Sequence, residues 1–295
     1  MAAATEALAP AKINLFLHVG APGADGYHPL CSLMAFADIG DRLTVYAADA
    51  LEVRVDGAFA RALAGEGDNL VLQAARALLA CSRGPTQPVG LRLDKRLPVA
   101  AGLGGGSSDA GAALRLLRDT LGVDLDDEAL QEIAGSLGAD GAACLWGRPV
   151  VALGRGERLT PAPGLPPIDA VLVNPGVAVS TTQVYRRFDA DGGFGDVTPP
   201  PMPEAFESVA ELAGWLASTR NDLQAPAVAL APAVGDVLET LAGEPETLIA
   251  RMSGSGATCF ALCASDYEAE ALAQRLQSMR PAWWTRRCRL GGPWD

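Results

Sequence analysis

Alternating apolar and polar residues predict a β-strand close to the start of the chain. Over residues 11–19 the apolar side chains at alternate positions are Ile13, Leu15, Leu17 and Val19. The positions between them hold Lys12, Asn14, Phe16 and His18. Side chains two residues apart in a strand point to the same face, so Lys12 and Asn14 are predicted to lie on one side, about 6–7 Å apart.

The same alternation predicts further strands, and a helical period predicts helices between them. Strands are predicted at residues 30–37, 42–46, 51–55, 89–94, 150–153 and 170–173, with a connection at 39–41 between the first two. Residues 248–251 and 257–262 flank the glycine- and serine-containing segment 252–256. Helices are predicted to begin at Asp68–Asn69, after Gly106, at Asp126 and at Ser180, and to span 204–217, 233–242 and 266–278. Strands and helices do not alternate regularly, which indicates an α+β fold and not a doubly wound parallel sheet.

Two segments rich in proline interrupt the second half of the chain. Residues 160–167 are the predicted linker between two lobes, which would span residues 1–160 and 168–295. Residues 189–203 combine glycines with prolines and predict a mobile surface loop.

Composition and charge narrow the classes of function. Hydrophobic residues make up 49% of the 295 residues, enough for a core, and no run of about 18 apolar residues predicts a membrane span. The formal net charge of −12 disfavours general binding of nucleic acid or of an anionic membrane. The cysteines form no C-x-x-C pair, and Cys259 and Cys263 are expected in the core of a protein from a reducing compartment. The first residues lack the basic region of a signal peptide, so the expected location is the cytoplasm.

A glycine-rich run between a predicted strand and a predicted helix is the most informative segment. It comprises Pro98, Val99, Ala100, Ala101, Gly102, Leu103, Gly104, Gly105, Gly106, Ser107 and Ser108. Its glycines lack the side chains that would keep backbone N–H groups away from a ligand. Ser107 or Ser108 is expected to cap the helix, whose N-terminus faces the same space. Backbone donors and a helix N-terminus together predict an anion site, most often for phosphate.

Other interpretations of this run fit less well. A Walker A loop would need Lys and then Ser or Thr after Gly106, and a dinucleotide fingerprint would need glycine at position 107. A plain connection from strand to helix is the structural alternative, although such connections need one or two glycines and not a run.

The run resembles the phosphate-binding motif of the GHMP kinases, the galacto-, homoserine, mevalonate and phosphomevalonate kinases. Two further blocks match the same family in order, Pro10-Ala11-Lys12-Ile13-Asn14-Leu15 before the run and Ser253-Gly254-Ser255-Gly256-Ala257 after it. The resemblance implies a two-lobed fold, with a ribosomal-protein-like N-terminal lobe that binds ATP and a ferredoxin-like C-terminal lobe. It also implies that residues 98–108 bind ATP.

The resemblance implies a catalytic pair for phosphoryl transfer. Asp140, at the end of Leu137-Gly138-Ala139-Asp140, matches the family's catalytic base, and Lys12 matches the lysine beside it. An ammonium there would favour the ionised carboxylate and stabilise charge on the transferring group. Without the family match, Asp140 fits a helix N-cap equally well, and Lys12 fits a solvated strand residue. The family usually continues Asp-Val-Pro where this chain has Gly141-Ala142, which predicts a looser or differently angled helix entry.

A further match points to the branch of the family whose substrate carries a cytidine. Asp25-Gly26-Tyr27-His28 resembles a segment in which the tyrosine stacks on the cytosine and the histidine bonds its edge. Tyr185 matches a second aromatic residue on the other side of the ring, and Asn14 matches a residue near the reacting hydroxyl. Without the family match, Tyr27 and His28 would be interpreted as a turn that carries an aromatic residue.

Charged residues beside the glycine-rich run leave alternatives open. Lys95 and Arg96 either contact nucleotide phosphates or are solvated charges. Asp109 is expected to complement the helix dipole and is not assigned as a magnesium ligand. Mg²⁺ is expected to accompany ATP, and no protein ligand for a metal is assigned.

The implied function is ATP-dependent phosphorylation of the 2-hydroxyl of 4-diphosphocytidyl-2-C-methyl-D-erythritol, on the non-mevalonate route to isoprenoid precursors. One alternative is another small-molecule GHMP kinase, such as one for homoserine, which would give no purpose to Tyr27 and His28. The other alternative is a protein of the same fold that binds without catalysis. The expected partners are ATP and the small-molecule substrate, without nucleic acid or membrane, and the expected state is a monomer or a homodimer.

Overall fold

The computed structural model describes residues 5–63, 69–82 and 87–294, in which strands and helices follow one another irregularly. The strands are β1 (Glu6–Val19), β2 (Leu30–Ala47), β3 (Glu52–Asp56), β4 (Val89–Asp94), β5 (Val150–Gly154), β6 (Arg158–Pro161), β7 (Ile168–Asn174), β8 (Ile249–Met252), β9 (Cys259–Cys263) and β10 (Trp284–Gly291). The helices are α1 (Leu70–Ala80), α2 (Gly105–Leu121), α3 (Asp127–Ser136), α4 (Gly141–Trp146), α5 (Thr181–Asp191), α6 (Val209–Leu216), α7 (Gln224–Leu230), α8 (Ala233–Ala242) and α9 (Asp266–Met279). The predicted α+β class is confirmed.

The ten strands of the described residues join into one mixed sheet around β2. The main path runs β3-β4-β2-β10-β7-β9-β8, and β2 also pairs with β1 and with β5, which continues to β6. β3 and β4 run parallel, and the other pairs are antiparallel. Because β10 lies between β2 and β7, the last strand of the chain links its first part to its second.

β2 replaces two predicted strands. Residues 39–41 do not form a connection, and the strand runs without interruption from Leu30 to Ala47. Gly40 explains why the turn signal was misleading, because a Cβ there would lie 2.0 Å from the carbonyl oxygen of Ala9 on β1. Glycine serves here for the close approach of two strands and not for a bend.

β1 is longer than predicted, and its alternation is interrupted. Its register against β2 shifts on both sides of the Lys12–Asn14 segment. A bulge of this kind re-aims the side chains that follow it. Phe16 accordingly lies in the same core cluster as Ile13 and Leu15, so the prediction that it lies on the opposite face from them is wrong. Lys12 and Asn14 do share a side, since their side chains are hydrogen-bonded.

Side-chain caps begin several helices where the sequence placed them. Asn69, Asp126 and Ser180 each accept a hydrogen bond from the first turn, of α1, α3 and α5 respectively. Asp68, which was expected beside Asn69, lies outside the described residues. The helix predicted at 204–217 is shorter, because Ser208 caps it and α6 follows.

Three elements were not predicted, and each has a local reason. α7 carries Pro226, which indicates a helix breaker but is tolerated in a first turn. The buried positions of β10, Thr285, Cys288 and Leu290, do not alternate strictly. β6 has four residues and is mostly exposed.

The predicted linker is partly structured. Thr160 and Pro161 end β6, and Gly164 forms a backbone bridge with Ala205. The sheet continues across this segment, and the lobe boundaries 1–160 and 168–295 stay a prediction. The segment predicted as a loop at 189–203 begins inside α5.

Three large buried clusters form the core of the described part of the chain. One joins β1, β2, β7 and α6, a second packs β7 and β9 against α5, α7, α8 and α9, and a third packs β2 and β4 against α1, α2 and α3. All six cysteines are free and five are buried, so the core position predicted for Cys259 and Cys263 is confirmed. Among the described residues, no helix combines the length and the apolar character needed to cross a membrane.

Candidate active site

The three sequence blocks that match the GHMP pattern meet in the structure. The Lys12 N–H donates to the carbonyl of Leu103 at 2.8 Å. The Asn14 N–H donates to Ser253 Oγ at 3.1 Å, and the Ser253 hydroxyl donates to the carbonyl of Gly102 at 2.9 Å. Segments that are far apart in sequence thus hold the glycine-rich loop, residues 98–106, in one place.

Positive φ angles shape the glycine-rich loop. The φ angle is 51° at Ala100, 74° at Gly102 and 62° at Gly104. At Gly102 a Cβ would lie 2.2 Å from the carbonyl oxygen of Ser253, so glycine is required there by space as well as by φ. Ala100 adopts the left-handed region despite its methyl group, at a cost on the order of 1–3 kcal/mol, and such residues cluster at ligand sites.

The helix after the loop begins earlier than predicted. α2 starts at Gly105 after a left-handed Gly104, without a side-chain cap, so the capping role predicted for Ser107 or Ser108 is wrong. Both serines lie in the first turn, and Ser108 is fully buried. Because no side chain caps it, the first turn leaves its N–H groups available to an anion, as the phosphate-site prediction requires.

Lys12 and Asp140 form an ion pair beside the loop. Lys12 Nζ lies 3.0 Å from Asp140 Oδ2, and the side chains are 5% and 32% exposed. The lysine also packs against the loop, because a Cβ at Gly104 would lie 3.1 Å from Lys12 Cε. The alternative of a solvated strand residue therefore does not hold for Lys12. Lys12 is a buried cation with one face toward the loop and one toward Asp140.

Asn14 is held in a defined orientation next to Lys12. Its Oδ1 accepts from Lys12 Nζ at 2.6 Å, and its Nδ2 donates to Ser32 Oγ at 2.8 Å. The Ser32 hydroxyl is committed as a donor to the carbonyl of Phe16 at 2.6 Å, so it must accept from Asn14. These contacts fix which end of the amide faces the lysine.

Asp140 occupies the N-cap position of α4 but does not act as a cap. Its carboxylate accepts no hydrogen bond from the helix, and it faces Lys12 instead. At Gly141 a Cβ would lie 1.9 Å from the carbonyl oxygen of Ala134 on α3. The helix entry is therefore tight and not loose, and this close approach explains why glycine follows the aspartate.

The residues matched to cytidine recognition form a second group of contacts. The rings of His28 and Tyr185 are 5.0 Å apart, and His28 Nε2 lies 2.7 Å from Asp189 Oδ1. Burial and then the Asp140 charge raise the pKa of Tyr185 to about 12. Tyr27 is 60% exposed, and the Arg155 guanidinium lies 4.3 Å from its ring centroid. Sequence reasoning missed Asp189, although its i,i+4 spacing from Tyr185 places the two on one helix face.

One cleft of about 1390 Å³ contains all but one of the residues assigned from the sequence. Its lining includes Lys12, Asn14, Tyr27, His28, Pro98, Val99, Ala100, Ala101, Gly102, Leu103, Gly104, Gly105, Gly106, Ser107, Asp140 and Tyr185. The exception is Ser108, which is buried inside the protein. A site for one small molecule usually has about 300–1,000 Å³, so this cleft has room for two ligands side by side.

A buried charge cluster under the loop was not predicted from the sequence. Lys95 Nζ lies 2.5 Å from Asp41 Oδ2 and 2.6 Å from Asp109 Oδ2. The second oxygen of Asp41 accepts from the N–H groups of Arg96 and Leu97 at 2.6 and 2.8 Å, which fastens the entry to the loop onto β2. Asp41 lies in the middle of a strand that was predicted to be broken there, so nothing in the local pattern indicated this role.

The cluster corrects two predictions about charges near the loop. Lys95 is neither solvated nor free for a phosphate, because two carboxylates neutralise it, whereas Arg96 is paired with Asp94 at the surface. Asp109 does not simply complement the helix dipole, since it is buried against Lys95. Burial raises the pKa of Asp109, and the Lys95 ammonium opposes this rise. Lys12 and the loop N–H groups are donors that remain available to an anion at the loop.

Comparison with known families gives matches in both halves of the chain. Residues 69–148 match the family model described as GHMP kinases N terminal domain, and residues 202–282 match the model described as GHMP kinases C terminal. The first match includes the glycine-rich loop and Asp140, and the second includes the Ser253–Ala257 block.

Individual relatives are similar over nearly the whole chain. A 4-diphosphocytidyl-2-C-methyl-D-erythritol kinase of Caulobacter sp. (strain K31) is 63% identical, with 98% of this chain and 99% of the relative covered. A protein of the same name from Hyphomonas neptunium is 50% identical, with 96% and 95% covered. A crystal structure of 4-(cytidine 5'-diphospho)-2C-methyl-D-erythritol kinase superposes with a TM-score of 0.76 at 35% identity, covering 98% of this chain and 100% of that one. A homoserine kinase from Cytophaga hutchinsonii shares the fold, with a TM-score of 0.65 at 18% identity over 97% and 95% of the two chains.

Proposed function

The chain belongs to the GHMP kinase family, and from this premise we propose that it uses ATP to phosphorylate the 2-hydroxyl of 4-diphosphocytidyl-2-C-methyl-D-erythritol. The relatives at 63% and 60% identity carry the name of that kinase. A homoserine kinase shares only the fold, and the aromatic end of the cleft suits a substrate with a ring.

The Lys12–Asp140 ion pair beside the glycine-rich loop is the observation that carries the proposal. Phosphoryl transfer needs the γ-phosphate held in line, its charge balanced and the attacking hydroxyl oriented. The loop N–H groups would hold the phosphates, and Lys12 would balance the charge. Asp140, with a free carboxylate edge 32% exposed to the cleft, would take the proton of the hydroxyl.

The proposed reaction balances without a further reactant. The 2-oxygen of the substrate forms a bond to the γ-phosphorus, and the bond from that phosphorus to the β,γ-bridging oxygen breaks. ADP leaves with the electron pair of the broken bond, and the hydroxyl proton passes to the Asp140 carboxylate. A base that transfers one positioned proton contributes roughly 10²–10⁴-fold to such a reaction.

The remaining site residues divide between the two ends of the substrate. Asn14, whose amide is fixed by Lys12 and Ser32, is proposed to bind near the reacting hydroxyl. Tyr27, His28 and Tyr185 are proposed to bind the cytosine, the first and last through their ring faces.

Mg²⁺ is proposed to enter with ATP as part of the substrate. Magnesium in such sites is held largely by phosphate oxygens and water. Among the residues that the structure describes, no group of three or more His, Cys, Asp or Glu side chains is placed to hold a metal ion, and we assign no protein ligand. The oligomeric state and a location in the cytoplasm stay predictions.

A substrate panel tests the proposed function directly. With ATP, the purified protein is expected to phosphorylate the diphosphocytidyl substrate and to leave homoserine, mevalonate and free methylerythritol unchanged. Coupled measurement of ADP release gives the rate for each compound. Equal rates with a simple alcohol would contradict the assignment of substrate. If no compound caused ADP release, the alternative of a protein that binds without catalysis would be supported instead.

Replacing Tyr27 with alanine is expected to weaken binding of the cytidine substrate. A lost stacking contact is worth about 1–3 kcal/mol, or roughly 5- to 150-fold in KM. The KM for ATP should hardly change, because the loop and not Tyr27 is assigned to ATP. The control is Tyr267→Ala, which removes a tyrosine that is 83% exposed on α9 and outside the cleft. Similar losses for ATP and substrate would mean that Tyr27 supports the shape of the turn.

A further inference from the structure

We propose that Asp189 sets the base specificity of the cleft by fixing the tautomer of His28, so that cytosine is accepted and uracil is rejected. The inference rests on the proposed function for its ligand class, a cytidine diphosphate. Asp189 is a positioning residue in this proposal, because it acts on the base through the histidine.

The contact between the two side chains determines which ring nitrogen carries the proton. His28 Nε2 lies 2.7 Å from Asp189 Oδ1, and the His28 side chain is only 8% exposed. An ionised carboxylate has no proton to donate, so Nε2 must be the donor in this bond. In the neutral imidazole Nδ1 then carries a lone pair and can only accept. The bond to Asp189 uses Nε2 of His28, so it leaves Nδ1 for another partner.

Aromatic rings around His28 keep it in this orientation. Its ring centroid lies 5.0 Å from that of Tyr185, 6.0 Å from that of Phe188 and 6.4 Å from that of Phe194. His28 and Asp189 both line the cleft, together with Tyr185. One turn of α5 therefore supplies both an aromatic face and the carboxylate that orients the histidine.

An acceptor at this position distinguishes the two pyrimidines. Cytosine presents a 4-amino donor on its edge, whereas uracil presents a 4-oxo acceptor at the same place. The Nδ1 lone pair can accept a hydrogen bond from the amino group of cytosine. It cannot bond to the oxo group of uracil, because both atoms are acceptors, and that oxo group would also have lost its hydrogen bonds to water. Such a mismatch is expected to weaken a uridine ligand roughly tenfold or more.

His18 provides an internal reference for the tautomer. The chain has two histidines, and His18 Nε2 accepts from the Arg220 N–H at 3.3 Å, which leaves the proton of His18 on Nδ1. Burial, with the nearby Arg220 charge, lowers the pKa of His18 to about 4, so it is neutral in ordinary buffers. The two histidines are thus expected to show opposite tautomers in one spectrum.

The experiment combines nucleotide binding with nitrogen NMR on the full chain. Dissociation constants for CDP and UDP are measured by calorimetry for the unaltered protein, Asp189→Ala, Asp189→Asn and Asp191→Ala. Asp191 is the matched control, since it lies on the same helix in an ion pair with Arg187 at 2.9 Å but does not line the cleft. Labelled histidine nitrogens report the tautomers of His18 and His28 in each protein.

The unaltered protein is expected to prefer CDP roughly tenfold or more and to show His28 protonated on Nε2. Asp189→Ala should bring the ratio of the two constants close to one, chiefly by weakening CDP, and should give His28 a mixture of tautomers. Asp189→Asn should keep part of the preference, because its amide oxygen still accepts from Nε2. Asp191→Ala should keep all of it. With the cytidine substrate, Asp189→Ala should lose more through a raised KM than through a lowered kcat.

Several results would overturn the inference. They are an unchanged CDP preference in Asp189→Ala, an equal loss of CDP and UDP, or a His28 in the CDP complex that is protonated on Nδ1. The proposed function fails separately. If the unaltered protein phosphorylates the cytidine substrate while Asp189→Ala still discriminates between CDP and UDP, only the role of Asp189 is wrong. A protein that neither binds CDP nor turns over the substrate contradicts both the proposed function and the role of Asp189.

Discussion

Turnover is expected to fall roughly 10²–10⁴-fold when Asp140 is replaced by asparagine. Asparagine has nearly the same shape but cannot accept the proton of the attacking hydroxyl. Because the carboxylate makes no capping bond to α4, the change should leave that helix in place, although loss of the ion pair to the buried Lys12 should lower the free energy of unfolding. Single-turnover kinetics with ATP and the diphosphocytidyl substrate measure the first effect, and unfolding in denaturant measures the second.

Asp126 offers a matched control for Asp140. It is also an aspartate at a helix N-cap, but its Oδ1 accepts from the Ala129 N–H at 2.8 Å. Asp126→Ala should therefore cost about 1 kcal/mol of stability and leave turnover unchanged. If Asp140→Asn kept more than about a tenth of the original rate, Asp140 would not be the base.

Replacing Gly104 with valine is expected to weaken ATP binding at least about 10²-fold. The branched side chain would occupy the space where the backbone approaches phosphate, and two lost hydrogen bonds to a charged group are worth about 1.5–3 kcal/mol each. The φ of 62° at Gly104 adds strain, and a Cβ there would lie 3.2 Å from Lys12 Cβ and 3.4 Å from Cys144 Sγ. Lys12 would therefore be displaced, so kcat should also fall. Binding of CDP, which is assigned to Tyr27, His28 and Tyr185 and not to the loop, should change much less.

Gly122 separates the effect of strain from the effect on the site. It ends the same helix with the same φ of 62°, and a Cβ there would meet nothing within 4 Å. Gly122→Val should lose a similar free energy of unfolding, on the order of 1–2 kcal/mol, and bind ATP normally. Thermal unfolding and calorimetric ATP binding distinguish the two variants. If both variants lost ATP binding, or neither did, the loop would not be the phosphate site.

The sequence indicated which segments carry the candidate site residues, whereas it did not indicate how those segments pack. The three blocks around Lys12, Gly102 and Ser253 could be identified because each uses residue types that few ordinary segments need. These blocks meet through hydrogen bonds to backbone groups because the sheet brings their strands together. No local sequence pattern predicts the order of the strands in that sheet. The capping role of Ser107 and Ser108 was wrong for a related reason, since Gly104 can adopt the left-handed conformation that lets the helix begin before the serines.

Residues whose role depends on distant partners escaped prediction. A lysine that follows a strand usually faces solvent, and only the fold brings Asp41 and Asp109 to Lys95. Gly40 indicated a turn when only the sequence was considered. The steric reason for a glycine at this position is the carbonyl of Ala9, which lies on another strand. In each case the missing information is a contact between segments that are far apart in sequence.

The attachment of the glycine-rich loop to Ser253 has a consequence for synthesis of the chain. Gly102 precedes Ser253 by 151 residues. At roughly 5–20 residues per second, a ribosome takes about 8–30 s to add the later segment after the loop itself. Until then the carbonyl of Gly102 lacks its hydrogen bond from the Ser253 hydroxyl, and the Ser253–Ala257 block is not yet present beside the loop. A nucleotide stabilises a folded chain by an amount that rises with the logarithm of its affinity, so ATP can protect this protein only once the Ser253 segment is in place and not while its first half is emerging.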